Sequence, residues 1–172
     1  MTTGTGTATV RRVRPADTAR MRALRIEMLA DAPLAFLETL AQAAARSHAE
    51  YGARIAEVSF GDDVAQFVAV APDGRFVGHA GGVVAPDDRS LTVVFAVYVS
   101  PPWRGNGLLG ELTEAVAGWS RRAGRPGLML EVVVGNDRAV RAYERLGFVD
   151  TGVRVPHPTV PTMTELQMRR QA

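Results

Sequence analysis

The sequence predicts a single α+β domain with a mixed sheet. Three observations point there. Apolar residues recur at helical spacing early in the chain, then as short runs separated by proline and glycine turns, and finally the two textures alternate. The 172 residues fit one domain, able to bury about 70% of its unfolded surface. No internal repeat or linker divides the chain, so residues 1–172 read as one unit, with 1–8 (opening MTTGTGTA) as a small, polar, frayed tail.

The elements follow in order. Val10–Arg14 alternates as a strand and ends at Pro15-Ala16-Asp17, where Asp17 is placed to cap a helix. That helix is predicted over Thr18–Ala30, because Met21, Leu24, Met28 and Leu29 share one face, and Asp31-Ala32-Pro33 ends it. A second helical stretch is expected from Leu37 to Val58 through Leu40, Ala44 and Ile55. Val64–Ala71 and Phe76–Ala85 flank Pro72-Asp73-Gly74 and read as an antiparallel hairpin. After the turn Pro86–Ser90, Leu91–Ser100 is a third, strongly apolar strand. A helix over Leu108–Arg122, a strand over Gly127–Val134 and a helix over Asn136–Leu146 come next. Phe148–Val153 and Met163–Met168 close the order as strands.

Composition removes several functions. With no cysteine, disulfides, thiolate metal sites and a cysteine nucleophile are excluded, and the cytoplasm is the expected compartment. All 20 basic residues are arginine, as a GC-rich genome would give, and they scatter instead of forming a stripe. With a net charge of only +2, a nucleic-acid partner is not expected. No apolar run approaches the roughly 18 residues of a membrane span, and the first ten residues lack the basic and apolar regions of a signal peptide. His48, His79 and His157 lie far apart without ligand spacing, so no metal is expected and each reads as a surface or core residue. Trp103 and Trp119 read as packing residues.

Gly105-Asn106-Gly107-Leu108-Leu109-Gly110 matches G-x-G-x-x-G and opens a helix, where backbone N–H groups and the helix dipole suit a phosphate. Glu131 even lies where a dinucleotide fold places its ribose-binding acid, so an NAD-type oxidoreductase is a real competitor. Its context is wrong, however. Pro101-Pro102-Trp103-Arg104 separates the glycines from the strand, and too little chain follows to build the parallel sheet such a fold needs. No phosphate-binding G-x-x-x-x-G-K-[ST] sequence occurs either.

A wider pattern accounts for more residues. Val97-Tyr98-Val99-Ser100 runs into Pro101-Pro102-Trp103-Arg104-Gly105-Asn106-Gly107-Leu108, and Leu128–Val132 is followed by Asn136, Ala139, Tyr143 and Gly147-Phe148. Together with Arg14-Pro15-Ala16-Asp17, this resembles the GCN5-related N-acetyltransferase (GNAT) family over essentially the whole chain. The resemblance implies a mostly antiparallel central sheet, splayed at the cofactor site and flanked by helices. It also implies acetyl-CoA as donor and a primary amine as acceptor. Val97, Tyr98 and Val99 would offer main-chain groups to the acetyl carbonyl and pantetheine arm. Arg104, Gly105, Asn106, Gly107, Leu108, Leu109 and Gly110 would form the pyrophosphate loop. Leu109 stands where the family usually carries Gly or Ala, so weaker or altered cofactor binding is expected.

Asn136 would hydrogen-bond the cofactor arm, cap its helix, or do both. Tyr143 matches the family's general acid, which protonates the departing thiolate. Glu131 matches a base position known in part of the family, and a glutamate in an apolar strand is costly unless paired or functional; an ion pair with an arginine is the competing role. Tyr98 or an ordered water is the alternative proton relay. Phe36 falls in the loop that walls the acceptor site. The acceptor is a small-molecule amine or a peptide N-terminus, and dimers are common among the proteins resembled. An amine of pKa near 10.4 costs about 4.6 kcal/mol to neutralise at pH 7, against about 1 kcal/mol for an α-amine. A site without a strong base therefore favours the α-amine. A non-catalytic acyl-CoA-binding or regulatory domain is the alternative that keeps the same fold.

Overall fold

The computed structural model describes residues 6–172. Seven strands form one sheet in the order β1-β2-β3-β4-β5-β7-β6. They are β1 (Thr9–Arg12), β2 (Val64–Val70), β3 (Phe76–Val84), β4 (Leu91–Val99), β5 (Gly127–Val133), β6 (Val149–Pro156) and β7 (Thr164–Gln171). Only β4 and β5 pair in parallel; the remaining neighbours are antiparallel. This is not the parallel sheet of a dinucleotide fold. Helices α1 (Thr18–Asp31), α2 (Leu40–Ala45), α3 (His48–Ser59), α4 (Leu108–Arg122) and α5 (Asp137–Arg145) cover it.

Strand alternation splits the interior in two. On β2, Ala65, Phe67 and Ala69 face α4 and meet Leu108, Leu112, Val116 and Trp119. Val68 faces the other side and packs with Met21, Leu24, Met28 and Leu29 of α1 and with Ile55 and Val58 of α3. The α4 layer sits very close to β3. A Cβ at Gly78 would stand 2.9 Å from Leu112 Cδ1, and one at Gly82 would stand 2.8 Å from Val116 Cγ1, so only glycine allows this approach.

Three expectations change. The stretch 37–58 is two helices because Arg46 is extended and Ser47 starts a new helix, its hydroxyl accepting from Glu50 N while Glu50 reaches back to Ser47 N. Asp17 makes no side-chain cap to α1; its buried carboxylate instead accepts from Arg14 N at 2.8 Å, Arg11 at 2.7 Å and Arg20 at 2.6 Å. Of the eight residues read as a tail, 1–5 lie outside the described residues, whereas Ala8 is buried in the α4-side core. No helix among the described residues is long and apolar enough to cross a membrane.

Candidate active site

The site begins with an extra residue in β4. Phe95 pairs with Gly81 and Tyr98 with His79, so three steps along β4 match two along β3. The excess is a bulge in which Ala96 takes φ 48°, an unfavourable left-handed conformation for a residue with a Cβ. His79 donates from Nδ1 to the Ala96 carbonyl at 2.6 Å and fixes the irregular peptide. His79 is only 3% exposed, and burial pushes its pKa down to about 4, which keeps the ring neutral.

The same strand then parts from its parallel neighbour. β4 and β5 are in register at Leu91–Gly127, Thr92–Leu128 and Val93–Met129, and no β4–β5 pair follows. The gap opens into a cleft of about 510 Å³ lined by residues of both strands, α5, β7 and the 32–36 segment. Val97, Glu131, Asn136, Tyr143 and Phe36, all singled out from sequence, meet there. Phe36 is buried beneath the Arg25 guanidinium, 5.4 Å from its ring centre.

Tyr143 is held at its ring, in edge contact with Phe148 at 5.7 Å between centroids. Its hydroxyl makes no protein hydrogen bond, yet no buried polar side-chain atom among the described residues lacks a partner, so the hydroxyl is open to the cleft. Desolvation raises its pKa above the ordinary tyrosine value and keeps the proton on oxygen. Asn136 caps α5, its Oδ1 accepting from Ala139 N at 3.2 Å, which leaves the carboxamide N–H groups for a ligand.

Glu131 is exposed in the cleft and forms no ion pair with an arginine among the described residues; its neighbour is Glu165 of β7. Burial and the Glu131 carboxylate both raise the pKa of Glu165. Behind Glu165 stands His157, whose Nδ1 accepts from Thr159 N at 3.2 Å and Val160 N at 3.1 Å. That assigns the proton to Nε2, 3.9 Å from Glu165 Oε1. The sequence reading missed Glu165 and this use of His157, and it missed the partner of His79.

The glycine loop lies at the mouth of α4. Gly105 and Gly107 have φ of 86° and 83°, and a Cβ at either would meet nothing within 4 Å. Gly107 is the N-cap of the 15-residue helix α4, so open space at both glycines lies at a helix N-terminus, as a phosphate cradle requires. Leu109 packs against the α4-side core, and the Asn106 carboxamide donates to the carbonyls of Trp103 and Arg104. Arg104 ties the loop to the body, donating to Val99 O at 2.8 Å and to Asp31 at 2.6 Å. Tyr98 and Val99 do not line the cleft: the Tyr98 hydroxyl donates to Glu27 at 3.1 Å on the α1 side. Burial first, and then Glu27, raise the Tyr98 pKa.

A second cavity of about 230 Å³ lies on the α1 and α3 side of the bulge and shares Phe95 and Ala96 with the cleft.

Comparison with known proteins agrees with this fold. An aminoglycoside N(6')-acetyltransferase type 1 of Stenotrophomonas maltophilia is 32% identical over 149 residues, covering 83% of this chain and 87% of that protein. A mycothiol acetyltransferase of Nocardiopsis dassonvillei is 39% identical over 100 residues, but these make up 54% of this chain and 30% of that protein. A streptothricin acetyltransferase of Streptomyces lavendulae, 35% identical, is covered over 48% of its length and 53% of this chain. The chain thus spans half or less of those two relatives. Among solved structures, a GNAT acetyltransferase from Streptococcus pneumoniae superposes with a TM-score of 0.80 at 18% identity, covering 95% of this chain and 98% of the other. A phosphinothricin acetyltransferase from Sinorhizobium meliloti, solved with AcCoA, gives 0.76 at 21% identity, covering 96% and 89%. Residues 27–148 match the acetyltransferase (GNAT) family, and the chain belongs to it.

Proposed function

We propose that the protein is an N-acetyltransferase that moves an acetyl group from acetyl-CoA to a primary amine by direct attack, with Tyr143 as general acid. The observation that carries this reading is the Tyr143 hydroxyl, protonated and without a protein partner, opening onto the cleft beside the β4 bulge. Acetyl-CoA supplies the activated thioester. The chain's own residues do the rest. The open turn at Gly105 and Gly107 and the N-terminus of α4 suit a pyrophosphate. Main chain around Val97, unpaired with β5, offers amide partners to an extended arm. The free Asn136 N–H groups add a donor from the facing helix.

Proton transfer divides between two sides of the cleft. Tyr143 delivers a proton to sulfur as it leaves, and a carboxylate accepts the one the amine loses. Glu131 is exposed and next to Glu165, whose pKa is raised by burial and by Glu131 itself, so Glu165 takes up a proton more readily than an isolated carboxylate. A single carboxylate still leaves high-pKa amines expensive to neutralise, which favours α-amines and other low-pKa acceptors.

The test is thiol release from acetyl-CoA against an amine panel. Tyr143→Phe keeps the ring contact with Phe148 and should lower kcat about 100-fold, within the range for a lost general acid, with KM for acetyl-CoA unchanged. An unaltered kcat in the variant would remove Tyr143 from the chemistry. Failure of acetyl-CoA to bind would end the reading.

A further inference from the structure

The second cavity carries a charge pattern that the acetyl-transfer reading does not by itself explain. Arg25, Arg46 and Arg54 line it, against a single carboxylate, Glu38. Its imidazole, His79, is neutral, with a pKa pushed down to about 4. Glu38 is already committed: it accepts from Arg25 Nε at 2.9 Å and from Arg46 Nη2. Burial pushes its pKa up, but the bonds from Arg46 and Arg25 more than offset this and hold it below the usual carboxylate range. Each of those two arginines spends one nitrogen on Glu38, and Arg54 makes no ion pair or side-chain hydrogen bond among the described residues. Guanidinium donors therefore outnumber acceptors around a partly enclosed space, and a planar oxyanion is the group that matches such forks.

Resting on the acetyltransferase reading, we propose that this cavity is the acceptor pocket and takes a small amine that also carries a carboxylate or similar oxyanion. The oxyanion sits among Arg25, Arg46 and Arg54. The amine points to the Ala96 bulge, which the cavity shares with the Tyr143 cleft. Met21, Leu24, Met28 and Ile55 supply the apolar wall between those two ends. The volume of about 230 Å³ lies below the ~300–1,000 Å³ of sites for drug-sized ligands. A polyamine would bring further cations to an already cationic wall, a repulsion that selects against it.

The experiment compares L-amino acids, their C-terminal amides and linear polyamines in the thiol-release assay. In parallel, calorimetry follows binding of the same acids to CoA-saturated protein. The free acid should exceed its amide at least tenfold in kcat/KM, although the amide's amine is easier to deprotonate. Arg54 is exposed, so Arg54→Gln should leave the fold intact. That variant should raise KM for the acid at least fivefold, weaken its calorimetric binding equally, and leave KM for acetyl-CoA unchanged. Arg46→Lys, which keeps the charge but loses the fork, should show a smaller loss in the same direction. Preference for amides or polyamines, or acid binding indifferent to Arg54→Gln, overturns the proposal. If no amine is turned over, the acetyltransferase reading fails separately, and the calorimetry still decides whether the arginines bind the oxyanion.

Discussion

Acidification should unlock the β4 bulge through His79. The imidazole is buried and donates from Nδ1 to Ala96 O at 2.6 Å. Its pKa falls from 6.5 to about 4 on folding, mainly through desolvation. A histidine with a depressed folded pKa binds fewer protons folded than unfolded, so stability is fully present above pH 6.5 and is lost as pH falls towards 4. From those two pKa values, the loss relative to neutral pH is about 2 kcal/mol at pH 5 and about 3 kcal/mol at pH 4. His79→Asn places an amide N–H where Nδ1 stood, retains the donor and cannot titrate. Its smaller side chain should cost stability equally at all pH values. Urea unfolding at pH 7, 6, 5 and 4 for both proteins separates the effects. The carboxylates Asp17, buried, and Glu38, part-buried, whose pKa values are depressed, lose their contribution mostly below pH 4 and in both proteins alike. The difference between wild type and variant should therefore shrink by about 2 kcal/mol from pH 7 to pH 5. A constant difference would mean that the ring is not held neutral by burial, and the account of the bulge would fall with it.

Two further substitutions test other parts of the frame. Gly107→Ala puts a Cβ on a residue at φ 83°. The left-handed conformation should cost about 1 kcal/mol of stability and raise KM for acetyl-CoA about tenfold with little change in kcat, read from thermal unfolding and initial rates. Asp17→Asn leaves Arg11 and Arg20 facing a neutral amide at 1% side-chain exposure. It should cost about 3 kcal/mol, near the lower end for breaking a buried pair because both arginines reach solvent. Chemical denaturation measures it.

What was legible in the sequence follows how local each signal is. The face Met21, Leu24, Met28 and Leu29 announced α1, and the turn Pro72-Asp73-Gly74 announced the β2–β3 hairpin, because each lies within one short segment. The break within 37–58 was also written locally, as Thr39…Gln42 and Ser47…Glu50 capping pairs, but apolar periodicity ran across it. Asn136 and Tyr143 could be named together because the motif that carries the resemblance spans one turn and helix, Asn136 capping α5 and Tyr143 lying within it. Glu165 and His79 could not. Glu165 reaches the site only because β7 inserts beside β5, out of chain order, and His79 acquires its role only through register with a bulge on the next strand. Neither pairing leaves a mark on the neighbouring residues.

One irregularity sets how β4 faces its neighbours. Without the extra residue at Ala96, Phe95 and Tyr98 could not both share the α1-side face with Gly81 and His79, since a single-residue slip reverses a strand's faces. Close to the same irregularity the β4–β5 ladder ends after Val93, and the cleft that holds Tyr143 and Glu131 opens there. Phe95 and Ala96 border both cavities, so under the proposed function an amine on the arginine side and a thioester along the cleft would meet at this peptide. Ala96 at φ 48° stores strain of about 1–3 kcal/mol, and the short His79 bond offsets part of it. On the proposed function, changes at His79 should therefore perturb both KM values together, whereas changes at Gly107 or Arg54 should move only one.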